Sequence, residues 1–234
     1  MTRKFRSMAL VTAAMASVVV AAAGTASARP IAELGGGSGV AFENNSVCSL
    51  TTIGHDAAGR LVGITAGHCA PTGARVIAER LPEAGVLGTV AFSDDGKGLD
   101  YAVLELNPER INPVRTVGPT TIAGVGDAPG AGTTVCSSGR TTGTDCGVVW
   151  GELDGTSINQ YCSQPGDSGG PVMVGDRLVG MNQGRLTGIG PIGFNVPCTT
   201  AGNPVHSPAF FQPIVVILAA INAQGGVGAG FQPI

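Results

Sequence analysis

Gln164-Pro165-Gly166-Asp167-Ser168-Gly169-Gly170-Pro171-Val172 sets one serine in a turn of small residues that leads into an apolar run. A serine hydroxyl is a poor nucleophile at neutral pH. It needs a base to take its proton and an exposed position that a substrate carbonyl can approach. Glycines on both sides leave that room and permit unusual backbone angles. The amides of Gly166 and Ser168 can then point at one spot and stabilise a tetrahedral oxyanion. Taken alone, the segment is equally a polar, glycine-rich β-turn.

Two upstream segments supply the missing chemistry. Thr65-Ala66-Gly67-His68-Cys69 follows an apolar strand and puts a histidine beside a cysteine that a disulfide can anchor. Gly98-Leu99-Asp100-Tyr101-Ala102-Val103 places an aspartate just before an alternating apolar strand. Asp100 can accept one imidazole N–H and hold the ring in the tautomer a base requires. His55 and His206 read as ordinary residues, and Asp94 and Asp95, in a Ser-Asp-Asp-Gly-Lys-Gly turn, as solvated ones.

Around these segments, short β-branched runs recur with Gly, Pro, Asn or Asp between them. Ser46–Ile53, Arg60–Thr65, Arg75–Ala78, Gly88–Phe92, Tyr101–Leu106, Thr133–Cys136, Gly147–Trp150, Pro171–Val174 and Arg177–Met181 are the predicted strands. That rhythm predicts an all-β sandwich or barrel. Pro113–Pro129 reads as a connector between two β halves. A Pro-led helix is predicted over Pro213–Ala223, stopped by Gly225-Gly226, although its Val215-Val216-Ile217 run also fits a strand. Phe211-Gln212-Pro213-Ile214 recurs as Phe231-Gln232-Pro233-Ile234, and the second copy is expected in a flexible tail, with docking on the body or in a cleft as the alternative.

Composition agrees. The 234 residues are 43% hydrophobic and only 12% charged, which argues against disorder. With 38 glycines and 4% aromatics the chain favours tight turns over long helices. A formal charge of −3 gives no general case for binding nucleic acid or an anionic membrane.

The first residues carry an export pattern: Arg3, Lys4 and Arg6, then an apolar run from Met8 to Gly24, then Ala26-Ser27-Ala28. The run is shorter than the roughly 20 residues that span a bilayer. A cleaved signal is therefore expected, with the product secreted to the extracellular space and cell-wall association left open. Cys48, Cys69, Cys136, Cys146, Cys162 and Cys198 form an even set suited to an oxidising compartment. Six cysteines allow about 15 pairings. A zinc site is disfavoured because no Cys-x-x-Cys occurs.

Thr-Ala-Gly-His-Cys, the Asp-Tyr-Ala-Val strand and Gly-Asp-Ser-Gly-Gly-Pro, in that order, resemble the chymotrypsin-fold serine proteases. The secreted bacterial branch, streptogrisins and alpha-lytic protease, is the nearer likeness. Val135–Gly143 with Cys146, and Phe210-Phe211-Gln212-Pro213-Ile214, resemble segments of that branch. The order His, Asp, Ser differs from the subtilisin-like and α/β-hydrolase orders.

The resemblance implies two six-stranded antiparallel β-barrels with the active site between them and a C-terminal helix. The implied layout is 1–28 signal, 29–45 short N-terminal segment, 46–118 first barrel, 119–224 second barrel with helix, and 225–234 tail. Ser168 would be the nucleophile, His68 the general base and then acid, and Asp100 the residue orienting the imidazole. The Gly166 and Ser168 amides would form the oxyanion hole. The implied disulfides are Cys48–Cys69, Cys136–Cys146 and Cys162–Cys198. No metal or organic cofactor is implied, and the partner is a polypeptide substrate met by a monomer, with no nucleic acid and no membrane after signal cleavage.

Departures from that family's pattern set further expectations. Arg29 to Asn45 is too short for the long folding-assisting pro-segment usual in such precursors, so either folding needs no helper or a short segment is trimmed. Asp167, buried beside the nucleophile, needs a counterpart, because an unpaired buried carboxylate is costly. The bacterial branch tends to carry an arginine directly after the cysteine at the Cys136 position. Ser137 stands there, so Arg140 is the candidate substitute and backbone amides the alternative. The stretch Ser157–Cys162, containing Gln160, has no acid at the expected pocket base, so a trypsin-like preference is not expected. Gln183 and Arg185 would line the opposite wall. Cleavage after uncharged residues is expected, with an acidic preference as the alternative.

Overall fold

The computed structural model describes residue 1 and residues 29–234. The expected export signal over 1–28 therefore lies, Met1 apart, outside the described residues.

The first unit is a curled antiparallel sheet. Its strand order runs Thr52–His55, Leu61–Ala66, Tyr101–Leu106, Val86–Ser93, Arg75–Ala78, Gly39–Phe42, Val47–Ser49. Its two ends, Val47–Ser49 and Thr52–His55, are joined only by Leu50-Thr51, so one kinked run spans both edges and curls the sheet into a half-barrel. Leu61–Ala66 is buried along its whole length. Tyr101–Leu106 is buried except at Glu105. Two-sided burial puts apolar residues on both faces of these strands, so Tyr101–Leu106 does not keep the alternation that the sequence suggests.

The second unit closes on itself. Arg177–Arg185 pairs with both Pro171–Val174 and Ala209–Pro213, completing a ring through Thr134–Gly139, Gly143–Leu153 and Thr156–Asn159. Val135, Val149, Tyr161, Val172, Val179 and Phe211 fill it. The expected pair of six-stranded barrels is thus one closed barrel and one half-barrel. The connector is not plain loop: Thr116–Val117 pairs with Thr120–Thr121, and Gly124–Val125 runs parallel to Arg177-Leu178.

The helix spans Ile214–Gln224, one residue later at each end than the sequence predicts. Ile214, Ile217 and Ile221 are buried at helical spacing, whereas Val215 and Val216 face outward. That periodicity settles the β-branched run as helix. Gly225, at φ 72, ends it with an N–H donated to the Ile221 carbonyl at 3.1 Å.

The tail corrects an expectation. Gln232-Pro233 pairs antiparallel with Gly54-His55 of the half-barrel, and Phe231 is buried beneath it. The Asp56 carboxylate accepts N–H groups from Gly228 at 3.1 Å and from the Arg60 side chain at 2.7 Å. The second Phe-Gln-Pro-Ile copy is docked because its aromatic ring finds an apolar seat and its backbone finds an exposed sheet edge.

Candidate active site

Register brings the first two residues together. Ala66 pairs with Tyr101 at the end of two hydrogen-bonded strands. His68, in the tight 3₁₀ turn Gly67–Cys69, therefore faces Asp100, the residue before the partner strand. Asp100 Oδ2 lies 2.7 Å from His68 Nδ1, and Asp100 Oδ1 accepts the His68 backbone N–H at 2.7 Å. Both carboxylate oxygens are thus spent on one residue, and ring and backbone are fixed together. With Nδ1 carrying the proton, Nε2 is left as an acceptor. The hydrogen bond that His68 Nδ1–H donates to Asp100 raises the His68 pKa above its ordinary value, against the lowering effect of burial. The Cys48–Cys69 disulfide ties the adjoining residue to the neighbouring strand.

Asp100 sits at φ 56, a left-handed conformation uncommon outside glycine. Asp94 holds it there. Its Oδ2 accepts the Asp100 N–H at 2.8 Å, and its Oδ1 accepts those of Gly96 at 3.0 Å and Tyr101 at 3.2 Å. The solvated role expected for Asp94 is therefore corrected: its carboxylate shapes the loop that presents Asp100.

Ser168 stands in the loop between the two units. Every carbonyl from 164 to 169 is engaged. Gln164 accepts from Asp167 N, Pro165 from Thr141 Oγ1, and Gly166 from Ser49 Oγ. Asp167 accepts from Gly170 N and Asn182 Nδ2, Ser168 from Ser49 N, and Gly169 from Thr51 Oγ1. Among the described residues, the loop N–H groups without a protein partner are those of Gly166 and Ser168. Gly166 is at φ 99, and a Cβ there would sit 2.5 Å from Thr141 Oγ1, so only glycine fits.

Asp167 is 3% exposed and fully met without a cation. Its Oδ1 accepts the N–H groups of Thr141 at 2.9 Å and Thr142 at 3.0 Å. Its Oδ2 accepts Gln164 N at 2.9 Å and the Thr142 hydroxyl. Arg140, the expected counterpart, instead donates to Glu79 of the first unit and to Thr141 Oγ1. The backbone alternative holds, because two successive amides of the 141–142 turn already point at the carboxylate. A Cβ at Gly139 would lie 2.4 Å from Asp167 Oδ1, so glycine there lets that turn approach.

The units meet at this loop. A Cβ on Gly169 would be 2.3 Å from Thr65 Oγ1 and 2.9 Å from Ala66 N, three and two residues ahead of His68. Ser168 Oγ donates to the Gln183 carbonyl at 3.4 Å, a long contact for a hydroxyl, and no hydrogen bond joins it to His68. The Gln183 side chain crosses the cleft and donates to the Leu99 carbonyl at 2.6 Å.

The three residues expected to line the substrate pocket are tied differently. Gln160 Nε2 donates to the carbonyls of Pro204 at 2.8 Å and His206 at 3.1 Å, while its buried Oε1 has no partner among the described residues. Arg185 Nε donates to Asn195 Oδ1 at 3.2 Å. A separate cavity of about 460 Å³ between the units is lined by Leu34, Ser38, Arg80, Pro119 and Arg140, away from His68, Asp100 and Ser168. Cys48, His68 and Cys69 lie within 4.8 Å of one another, but the sulfurs form a disulfide and offer no thiolate to a metal. The other two pairings are Cys136–Cys146 and Cys162–Cys198, as the resemblance implies.

The family model described as Trypsin matches residues 38–204. The chain belongs to the trypsin family. It is 28% identical to Thermobifida fusca protease A, covering 87% of this chain and 99% of that one at a TM-score of 0.65. It is 30% identical to Cellulomonas bogoriensis chymotrypsin over 86% of this chain and 98% of that one, with a TM-score of 0.61. Streptogrisin-C of Streptomyces griseus is 28% identical over 72% of this chain, which spans only 36% of that relative. Within this trypsin-family chain, sequence reasoning missed Ser49, Thr51, Asp94, Thr141, Thr142 and Asn182. Of these only Asp94 left a trace, the Asp-Asp-Gly turn signal; the rest are ordinary small polar residues.

Proposed function

We propose that the chain is a secreted serine endopeptidase acting through an acyl-enzyme. The observation that carries this reading is the pairing of His68 with both oxygens of Asp100, across the cleft from a loop whose free N–H groups are those of Gly166 and Ser168. Ser168 Oγ attacks the scissile carbonyl carbon as its proton passes to His68 Nε2. The oxyanion takes hydrogen bonds from Gly166 and Ser168 N–H. The C–N bond then breaks as His68 returns the proton to the leaving amine, and water repeats the sequence to release the acid. Asp100 stabilises the imidazolium formed in each half.

Three disulfides support an oxidising destination, and no helix among the described residues is long and apolar enough to cross a membrane. The neutral amide of Gln160 where a basic-selective pocket would carry an acid supports cleavage after uncharged residues. Arg185 keeps guanidinium N–H groups beyond its Asn195 contact, which supports the acidic alternative. A peptide-library digest decides between these: cuts after apolar or small residues are expected, and cuts dominated by Lys or Arg would refute both.

One observation favours a latent form as the second reading: Ser168 Oγ faces the Gln183 carbonyl rather than His68. Hydrolysis of a peptide anilide by purified protein, abolished in Ser168→Ala, supports the active reading. Absence of turnover until a partner or cleavage is supplied supports the latent one.

A further inference from the structure

A trans peptide points its N–H and C=O in opposite directions, so fixing a carbonyl aims the following residue's N–H. The Gly166 N–H belongs to the peptide whose oxygen is that of Pro165. The Ser168 N–H belongs to the peptide whose oxygen is that of Asp167. The two carbonyls are held by side chains outside the loop: Pro165 by Thr141 Oγ1 at 2.8 Å and Asp167 by Asn182 Nδ2 at 2.9 Å. Asn182 is wholly buried and its amide is also fixed by Ser163 Oγ at 3.0 Å and Tyr161 OH at 3.1 Å. It is a rigid fixture of the barrel. Thr141 is different, since it is exposed and its hydroxyl is held from the other side by Arg140 Nη1 at 2.9 Å.

We propose that Thr141 is the positioning residue of the oxyanion hole, aiming the Gly166 N–H through the Pro165 carbonyl, and that Arg140, itself held by Glu79 of the first unit, anchors it. This rests on the endopeptidase reading above. A hydroxyl that accepts from a guanidinium is a better donor, so the Arg140 contact strengthens the bond from Thr141 to Pro165. Glu79 fixes the other end of the guanidinium. The relay Glu79, Arg140, Thr141, Pro165 therefore runs from the half-barrel that bears His68 and Asp100 to the loop that bears Ser168. It gives Arg140 a task that its expected partnership with Asp167 does not provide.

An oxyanion donor acts on the transition state and hardly on the bound substrate. Thr141→Val removes the hydroxyl, keeps the shape and keeps the backbone N–H that Asp167 needs. Removing one oxyanion donor outright costs about 10²–10³ in kcat; loosening its aim is expected to lower kcat about tenfold to hundredfold. KM for a peptide anilide should change less than about threefold, and the affinity for a peptide boronic acid, a tetrahedral mimic, should fall by the same factor as kcat. Thr141→Ser should restore both. Glu79→Gln should lower kcat less than Thr141→Val does.

Equal kcat and boronate affinity in wild type and Thr141→Val would overturn the proposal while leaving the endopeptidase reading standing. A loss that Thr141→Ser does not restore, or one appearing wholly in KM, would also overturn it. Failure of the wild-type protein itself to turn over substrate or bind the boronate would remove the endopeptidase reading, and the proposal with it.

Discussion

In the half-barrel, the proposed catalytic pair, His68 and Asp100, stands at the paired ends of two buried strands, with Asp100 holding His68 and Asp94 holding Asp100. In the closed barrel, the proposed nucleophile Ser168 stands in a loop with no regular pairing, held by a hydrogen bond to every carbonyl from 164 to 169. Several of those bonds come from the other unit, from Ser49 and Thr51. The first arrangement is local, set by strand register and two aspartates of one loop, Asp94 and Asp100. The second is distributed, so no single partner of the loop carries it, and its failure modes are correspondingly graded.

That contrast can be broken most forcefully at Asp100. Asp100→Asn should lower kcat about 10⁴-fold, because the amide stabilises the wrong imidazole tautomer. A pH–rate profile sharpens the point. His68 must be neutral to accept the serine proton, and Asp100 raises its pKa, so the acid limb should lie above the ordinary histidine value. Activity is lost as pH falls through that limb. The linked stability has the opposite sense: it is full below the unfolded histidine pKa and lost as pH rises through the raised folded value.

In the loop the largest single effect is expected at Asp167, the one residue there whose side chain accepts several donors. Asp167→Asn turns an NH₂ toward main-chain N–H groups and should destabilise by about 3 kcal/mol in chemical denaturation. Next comes the tail, which seals the half-barrel's edge. Deleting residues 226–234 uncovers the seat of Phe231 and should cost about 2 kcal/mol, with a lower thermal midpoint and unchanged kcat. An unchanged midpoint would return the tail to the free segment that the sequence suggests. Smallest is Arg75→Ala, which removes an exposed pair with Glu43 and should shift stability by less than about 0.5 kcal/mol.

The same division explains what the sequence made legible. Residues whose proposed role admits one chemistry, such as His68, Asp100, Ser168 and the glycines about it, stand out because few other residues could do that work. Arg75–Ala78, Tyr101–Leu106 and Pro171–Val174 form as strands at the predicted limits, since each is a dense apolar run closed by a turn. The carriers of the loop do not stand out. Thr141 and Thr142 reach Asp167 through backbone amides, which no side-chain pattern marks, and they lie about 25 residues away in sequence. Arg140 misled because charge suggests a partner, while geometry gave Asp167 three main-chain donors and gave Arg140 to Glu79. The tail misled because its pairing is with residues more than 170 positions earlier.

The central claim is that His68 and Asp100 activate Ser168 at a formed oxyanion hole, and covalent labelling reads that union directly. Purified protein should react with a fluorophosphonate probe at one site, mapped by mass spectrometry to Ser168. Ser168→Ala should take no label, and Asp100→Asn should label far more slowly. A folded wild-type protein that stays unlabelled at neutral pH, or that carries the adduct elsewhere, would contradict the account.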